Sequence, residues 1–317
     1  MTTHFNIKVP LEMAGYRLDK ALAELLPDYS RARLQEWIQQ GQVLVNSNTW
    51  RGKDKVQGGE AIQVIAELQE EVAWQAQPLP LTLLYEDDDI LIIDKPAGLV
   101  VHPGAGNSEN TLVNALLHHA PELAQLPRAG IIHRLDKDTS GVLVVARSLP
   151  AHTSLVAQLQ QHQFMKQYQA IVNGVLIAGD TVQAPIGRHP TQRTKMAVVT
   201  NGKPATTHYR VKQRFRAHTH IEVQLETGRT HQIRVHLAYK HYPIVGDHIY
   251  GYRPHLPPHC QKALQEILQT FPRQALHASQ LGFHHPTREQ WMQWQIPLPT
   301  DMQNLLQALQ QDKQQYA

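Results

Sequence analysis

The stretch that most constrains this chain is Ile131 to Arg147, Ile-Ile-His-Arg-Leu-Asp-Lys-Asp-Thr-Ser-Gly-Val-Leu-Val-Val-Ala-Arg. Its middle, His133 to Gly141, crowds two carboxylates, three cations or potential cations and two hydroxyls between an apolar pair and the run Val142 to Ala146. An apolar run of that length and composition reads as a buried strand. A charged knot leading straight into a buried strand lines a cleft or costs desolvation, so Asp136 needs a pocket or a cation brought from elsewhere in the chain. The same residues also suit a structural turn, with Asp138, Thr139, Ser140 and Gly141 supplying local hydrogen bonds. Composition alone does not choose between the two.

At 317 residues the chain is long enough for two domains. Arg17 to Val64 reads as a small domain: Leu18, Ala21, Leu22 and Leu25 recur at helical spacing, and a second helix with Ser30 as N-cap buries Leu34 and Ile38 before Gly41. Val43 to Asn46 and Val56 to Val64, interrupted by Gly58-Gly59, read as strands. Ala66 to Pro80 is Glu- and Gln-rich and reads as a linker, so we place the small domain with its linker at 1–75 and a second domain at 76–317.

From Leu81 onward strands predominate. Ile90 to Ile93, Leu99 to Val101, Tyr168 to Val172, Met196 to Thr200, Thr206 to Arg210 and Ile221 to Leu225 are expected strands, with helices at Thr111 to His119, from Pro150 to about His162, Arg229 to Tyr239 and Gln303 to Gln315. Runs of strands with scattered helices predict an α+β domain on a mixed, mainly antiparallel sheet with flanking helices.

Net charge is only +3, but Gly187 to Arg234 holds ten Lys or Arg against Glu222 and Glu226. Such a local excess predicts a polyanion site, and Arg188, Arg193 and Lys195 are its candidate contacts. In the small domain Arg31, Arg33 and Lys53 are the corresponding candidates. The single cysteine, Cys260, excludes an internal disulfide and a Cys-rich zinc site. No leader-like segment opens the sequence and no apolar run is long enough to cross a bilayer, which predicts a cytoplasmic protein without a membrane partner. The P-loop, dinucleotide-binding, His-Glu-x-x-His and Gly-x-Ser-x-Gly patterns are all missing, which removes support for nucleotide-driven, redox, zinc-peptidase and serine-hydrolase chemistry.

His133-Arg134-Leu135-Asp136 followed by Thr139-Ser140-Gly141 resembles the signature of the pseudouridine synthases of the RluA/RluD family. Further stretches match in order: Tyr85 to Gly106, Lys166-Gln167-Tyr168, Leu225 to His236 and Arg273 to Ala278. The small domain resembles the RNA-binding module first described in ribosomal small-subunit protein four. The resemblance implies an RNA-modifying isomerase that breaks the bond from ribose C1′ to N1 and remakes it to C5 of the same base, with no cofactor and no metal. It further implies large-subunit ribosomal RNA as partner, free or within a pre-assembled subunit, with looped uridines of the hairpin called helix 69 as target, and a monomeric enzyme.

By the same resemblance Asp136 is the catalytic carboxylate, attacking C1′ or removing the C2′ proton, with Asp138 as its rival by sequence alone. Tyr168 matches the tyrosine that stacks on the base, Arg229 the basic residue that pairs with the aspartate, and Arg134 the arginine inserted where the base is flipped out. His133 reads as scaffold. The alternatives are a sister synthase with another ribosomal or transfer RNA target, a ribosome-assembly RNA-binding factor without catalysis, and an aspartate-nucleophile hydrolase.

Overall fold

The computed structural model describes residues 2–26, 29, 31–67, 74–104, 107, 109–192 and 194–316, with backbone only at 2–3, 31–33 and 66–67. The chain divides into two units, Met1–Ala73 and Trp74–Ala317.

In the first unit β1 (Thr2–Lys8), α1 (Leu18–Leu25), α2 (Arg31–Gln39), β2 (Val43–Val45), β3 (Asn48–Thr49) and β4 (Ala61–Glu67) follow one another. Their antiparallel sheet has the order β1-β4-β2-β3. Leu18 and Leu22 of α1 and Leu34 and Trp37 of α2 pack on Val43, Val45, Ile62 and Val64, the buried face of that sheet. The fourth strand starts later than the expected Val56, because Gly58 and Gly59 take φ of 89° and 93° and turn the chain first. The expected cap Ser30 and the side chains of Arg31 and Arg33 lie outside the described residues; Lys53 is exposed in the loop before β4.

The second unit contains β5 (Thr82–Glu86), β6 (Ile90–Lys95), α3 (Leu112–His119), β7 (Ser140–Ala146), α4 (Leu149–Gln160), β8 (Met165–Asn173), β9 (Asp180–Gln183), β10 (Ile186–Arg188) and β11 (Met196–Val198). It continues with β12 (Thr206–Arg214), β13 (His218–Leu225), α5 (Gln232–Tyr239), α6 (Lys262–Thr270), β14 (Leu276–His284), β15 (Trp291–Gln295) and α7 (Thr300–Gln315). Among the described residues one sheet runs β5-β6-β7-β14-β8-β13-β12-β9, with β15 also on β14; β10 and β11 form a separate hairpin. Every pairing in the large sheet is antiparallel except β7 with β14.

The runs Ile90 to Ile93 of β6 and Val142 to Ala146 of β7 are apolar because both faces are covered. Leu91, Ile93, Leu143 and Val145 join one core, while Ile90, Ile92, Val142 and Val144 join the other. Gly141 is required where β7 meets β14: its φ is +127°, and a Cβ there would lie 2.2 Å from the Ala278 carbonyl oxygen.

Two further expectations, in the second unit, are corrected. Leu99 to Val101 is no strand; only Val100 bridges, to Thr111, after the turn at Gly98. The helix expected from Arg229 starts at Gln232, because His231 takes a left-handed φ of 56° and the Gln232 side chain accepts from the Arg229 amide at 2.9 Å and the Thr227 hydroxyl at 2.7 Å.

Candidate active site

The polar knot ahead of β7 is a turn, with the Thr139 amide donating to the Asp136 carbonyl at 3.1 Å. Its backbone is pinned from two sides. The buried ammonium of Lys95 donates to the carbonyls of Pro96, Leu99 and Lys137 at 2.8, 2.9 and 3.0 Å, using its three donors. Arg273 donates to the Asp138 carbonyl at 3.2 Å while gripping Asp301 with Nε and Nη2, and Gln274 donates to the Thr139 hydroxyl at 3.0 Å. The Ser140 hydroxyl lies 2.9 Å from His277 Nδ1. His133 is a further brace: its Nε2 accepts from the Val144 amide at 3.3 Å, and burial, with the Lys166 charge adding to it, lowers its pKa to about 3, so the ring is neutral.

Held in this way, the Asp136 carboxylate faces a cavity of about 100 Å³ that is also lined by Arg134, Tyr168, Arg229, His231 and Arg234. Arg234 Nη1 donates to Asp136 Oδ2 at 3.0 Å, and its Nε and Nη2 bind Asp247 at 2.7 and 2.9 Å. The guanidinium also lies 4.9 Å from the Tyr250 ring centroid. Burial opposes the charge on Arg234, but the carboxylates of Asp247 and Asp136 outweigh it and push its pKa up.

His231 Nε2 is 3.8 Å from Asp136 Oδ1, and its Nδ1 is 2.6 Å from the Tyr250 hydroxyl, which accepts from the Met196 amide. In the tautomer that turns Nε2–H toward Asp136, Nδ1 accepts from the Tyr250 hydroxyl. Burial lowers the His231 pKa, with Asp136 acting in the opposite sense.

Tyr168, on β8, is buried at the same cavity, and its hydroxyl has no hydrogen-bond partner among the described residues. Burial, and after it the Asp136 carboxylate, push that hydroxyl well above the ordinary tyrosine range, so it remains protonated. Asp136 and Tyr168 therefore share one wall-to-wall space. Asp138 is absent from the lining of the cavities beside Asp136.

The expected pairing of Arg229 with Asp136 is corrected: the partner is Arg234. Arg229 precedes α5 in the turn, and its Nε donates to the Pro204 carbonyl at 3.1 Å, although it still lines the cavity. Arg234 had a readable signal. It falls among Ile233, Val235 and Leu237 on a buried helix, and a buried arginine demands a carboxylate.

Of the expected RNA contacts, Arg134 is exposed and borders both the small cavity and a neighbouring one of about 770 Å³. Arg188 and Lys195 lie at the β10–β11 hairpin, and Arg193 lies outside the described residues. Counting charges overstated the unpaired basic surface. Lys212 reaches Glu222 at 3.9 Å, Arg216 reaches Asp312 at 3.1 Å, Arg234 is buried between two aspartates, and Arg214 donates to the carbonyls of Leu176 and Ile177.

Among the described residues Asp87, Asp89 and His285 bring three possible metal donors together. Those carboxylates are already bound by Tyr85, His285, Ser148 and Thr287, at the far end of β7 where the Arg147 amide donates to the Asp89 carbonyl. No helix among the described residues is long and apolar enough to cross a membrane.

A family model described as RNA pseudouridylate synthase matches residues 89–239, and one described as the S4 domain matches 17–62. The chain is 53% identical over 309 residues to the ribosomal large subunit pseudouridine synthase D of Pseudomonas aeruginosa, covering 98% of this chain and 97% of that one. It is 51% identical over 303 residues to the protein of the same name from Escherichia coli K12, covering 95% and 93%. The solved human RNA pseudouridylate synthase domain containing 4 superposes with a TM-score of 0.56 at 27% identity, over 72% of this chain and 93% of that one. With an aspartate, a tyrosine and a buried arginine around one cavity of a mainly antiparallel sheet, and an S4 domain ahead of it, this chain belongs to the RluA/RluD family of RNA pseudouridine synthases.

Proposed function

We propose that this enzyme isomerises uridines of large-subunit ribosomal RNA, in the looped hairpin called helix 69, with Asp136 as the catalytic carboxylate. The observation that carries the reading is the Asp136 carboxylate, held by Arg234 and lining one cavity with the buried Tyr168. The names of the Pseudomonas and Escherichia relatives support the ribosomal target.

Pseudouridine is an isomer of uridine, so the reaction needs a carboxylate at the sugar, a space that retains the freed uracil, and exclusion of water. Arg234 occupies Asp136 Oδ2 and thereby aims the other oxygen, whether the group attacks C1′ or takes the C2′ proton. Tyr168 offers its ring face to the flipped base, and Arg134 at the rim fills the place that the base leaves in the RNA stack. Arg31, Arg33 and Lys53 of the S4 domain, Arg188 and Lys195 at the β10–β11 hairpin, and Arg193 between them in the sequence contribute phosphate contacts that position the RNA.

The reading places the enzyme in the cytoplasm and as a monomer; Asp136, Tyr168, Arg234 and Asp247 come from one chain, so the site needs no second copy to be complete. Pseudouridines are to be mapped in ribosomal RNA of cells lacking the protein and of cells complemented with it or with Asp136→Asn. Loss confined to helix 69, restored only by the parent, is expected. Loss at other sites would overturn the target.

A further inference from the structure

The cavity of about 770 Å³ beside the reaction pocket is far larger than a uracil ring needs, and five residues, Arg134, Tyr168, Leu225, Gly228 and Arg229, border both. In its wall stands Lys166, two residues before Tyr168 on β8 and therefore on the same face of that strand, about 6.6 Å along it. Lys166 is only 7% exposed, yet its ammonium makes no hydrogen bond or ion pair with any described residue. Gly228 lies beside it: an added Cβ there would stand 4.0 Å from Lys166 Nζ.

A largely desolvated ammonium that opens into a chamber without a counter-charge there is a site for an anion. The neighbours do not. Arg128, Arg134 and Arg229 line the same chamber, and the acid among its lining residues, Glu226, is bound to His208 at 2.7 Å. Burial, and after it the Arg229 charge, lower the Lys166 pKa to about 8, the behaviour of a cation lacking its anion. His102 Nε2, also in the chamber lining, is buried with no hydrogen-bond partner among the described residues. The Lys95 ammonium, by contrast, is fully satisfied by three carbonyls.

We propose that this chamber is a second nucleotide subsite, in which Lys166 binds the phosphodiester adjoining the target uridine. The inference rests on the RNA-isomerase reading above and adds to it a specific charge contact next to the flipped nucleotide. Lys166 is a positioning residue: it holds the backbone so that the ribose meets Asp136, and takes no part in bond making.

The test uses the full chain and a helix 69 hairpin RNA, native or with one uncharged methylphosphonate linkage immediately 5′ or 3′ of the target uridine. For the parent enzyme, one of the two neutral linkages should weaken binding about tenfold. Lys166→Met should bind the native RNA about tenfold more weakly, be indifferent to that same neutral linkage, and carry its loss in Kd and KM, with Lys166→Arg restoring most of it. Indifference of the parent to both linkages would overturn the subsite even if the Met variant failed to fold. So would additive losses, or a loss confined to kcat. Pseudouridine formation by the parent, read in the same samples, separates the two readings: no product indicts the substrate, whereas product without coupling indicts the subsite.

Discussion

Arg234 joins two carboxylates, Asp136 through Nη1 at 3.0 Å and Asp247 through Nε and Nη2 at 2.7 and 2.9 Å. One guanidinium therefore ties the turn before β7 to the segment after α5. Asp247 is itself placed by a close approach: Gly246 has φ +77°, and a Cβ there would lie 1.9 Å from the Arg273 carbonyl oxygen.

This geometry predicts that Asp136→Asn lowers the single-turnover rate by about a thousandfold or more with RNA binding retained. Arg234→Met should lose turnover to a comparable degree, and the double variant should be no slower than either, because the residues act as one unit. Arg234→Met should also destabilise the fold by roughly 3–5 kcal/mol in urea, since Asp247 is left buried and unpaired. Arg229→Met should lower RNA affinity modestly and add to Asp136→Asn independently. Additive rate losses for Asp136→Asn and Arg234→Met would contradict the pairing.

Gly141→Ala sets a Cβ against the Ala278 carbonyl at a φ that L-residues avoid. The β7–β14 junction beneath Asp136 must open to admit it. Unfolding in urea should show a loss of roughly 2 kcal/mol or more, with turnover falling as the turn loses its register. An unchanged midpoint would show that the junction gives more readily than its packing indicates.

His218, at the start of β13, is fully buried with neither ring nitrogen bonded to a described residue. Burial, with His255 adding to it, lowers its pKa to about 4 from 6.5. Between those values the unfolded chain takes up a proton that the folded chain refuses, so this group's stability contribution is complete above pH 6.5 and is lost as pH falls toward 4. His218→Leu should leave stability at pH 7 nearly unchanged and flatten its decline between pH 6.5 and 4 by up to about 1.4 kcal/mol per pH unit. Urea midpoints at pH 7, 6 and 5 measure this, and an identical acid slope in both proteins would exclude His218 as a contributor.

Each unit has its own hydrophobic core, Leu18 to Val64 in the first and the β6–β7–β14 layers in the second. Deleting Met1–Ala73 should therefore leave a cooperatively unfolding catalytic unit. RNA binding by that unit should weaken, and its salt dependence should fall by about 0.7–0.9 in slope for each phosphate contact removed. A truncated chain with the parent's salt slope would show that the S4 domain does not touch the substrate.

The sequence by itself determined what depends on neighbours along the chain. The apolar run Val142 to Ala146 had to become a buried strand, whereas the polar knot before it read equally as a cleft or a structural turn, and the fold made it a turn that begins at Asp136. The two helices of the small domain follow from leucine spacing and from Gly41, and Thr111 heads α3 because Asn114 Oδ1 accepts from its amide at 2.9 Å. Tertiary structure alone decided which cation meets which carboxylate. Arg229 and Arg234 are five residues apart, and the choice between them turns on where α5 starts. That start is set by Gln232, whose Nε2 donates to Thr206 O and Thr207 Oγ1, on a strand far back in the sequence. At about 100° per residue, moving the helix start redirects every side chain beyond it. The full satisfaction of Lys95 and the isolation of Lys166 were equally hidden, because a lysine's partners are set by strands and turns packed against it, while local sequence specifies only the strand that carries it.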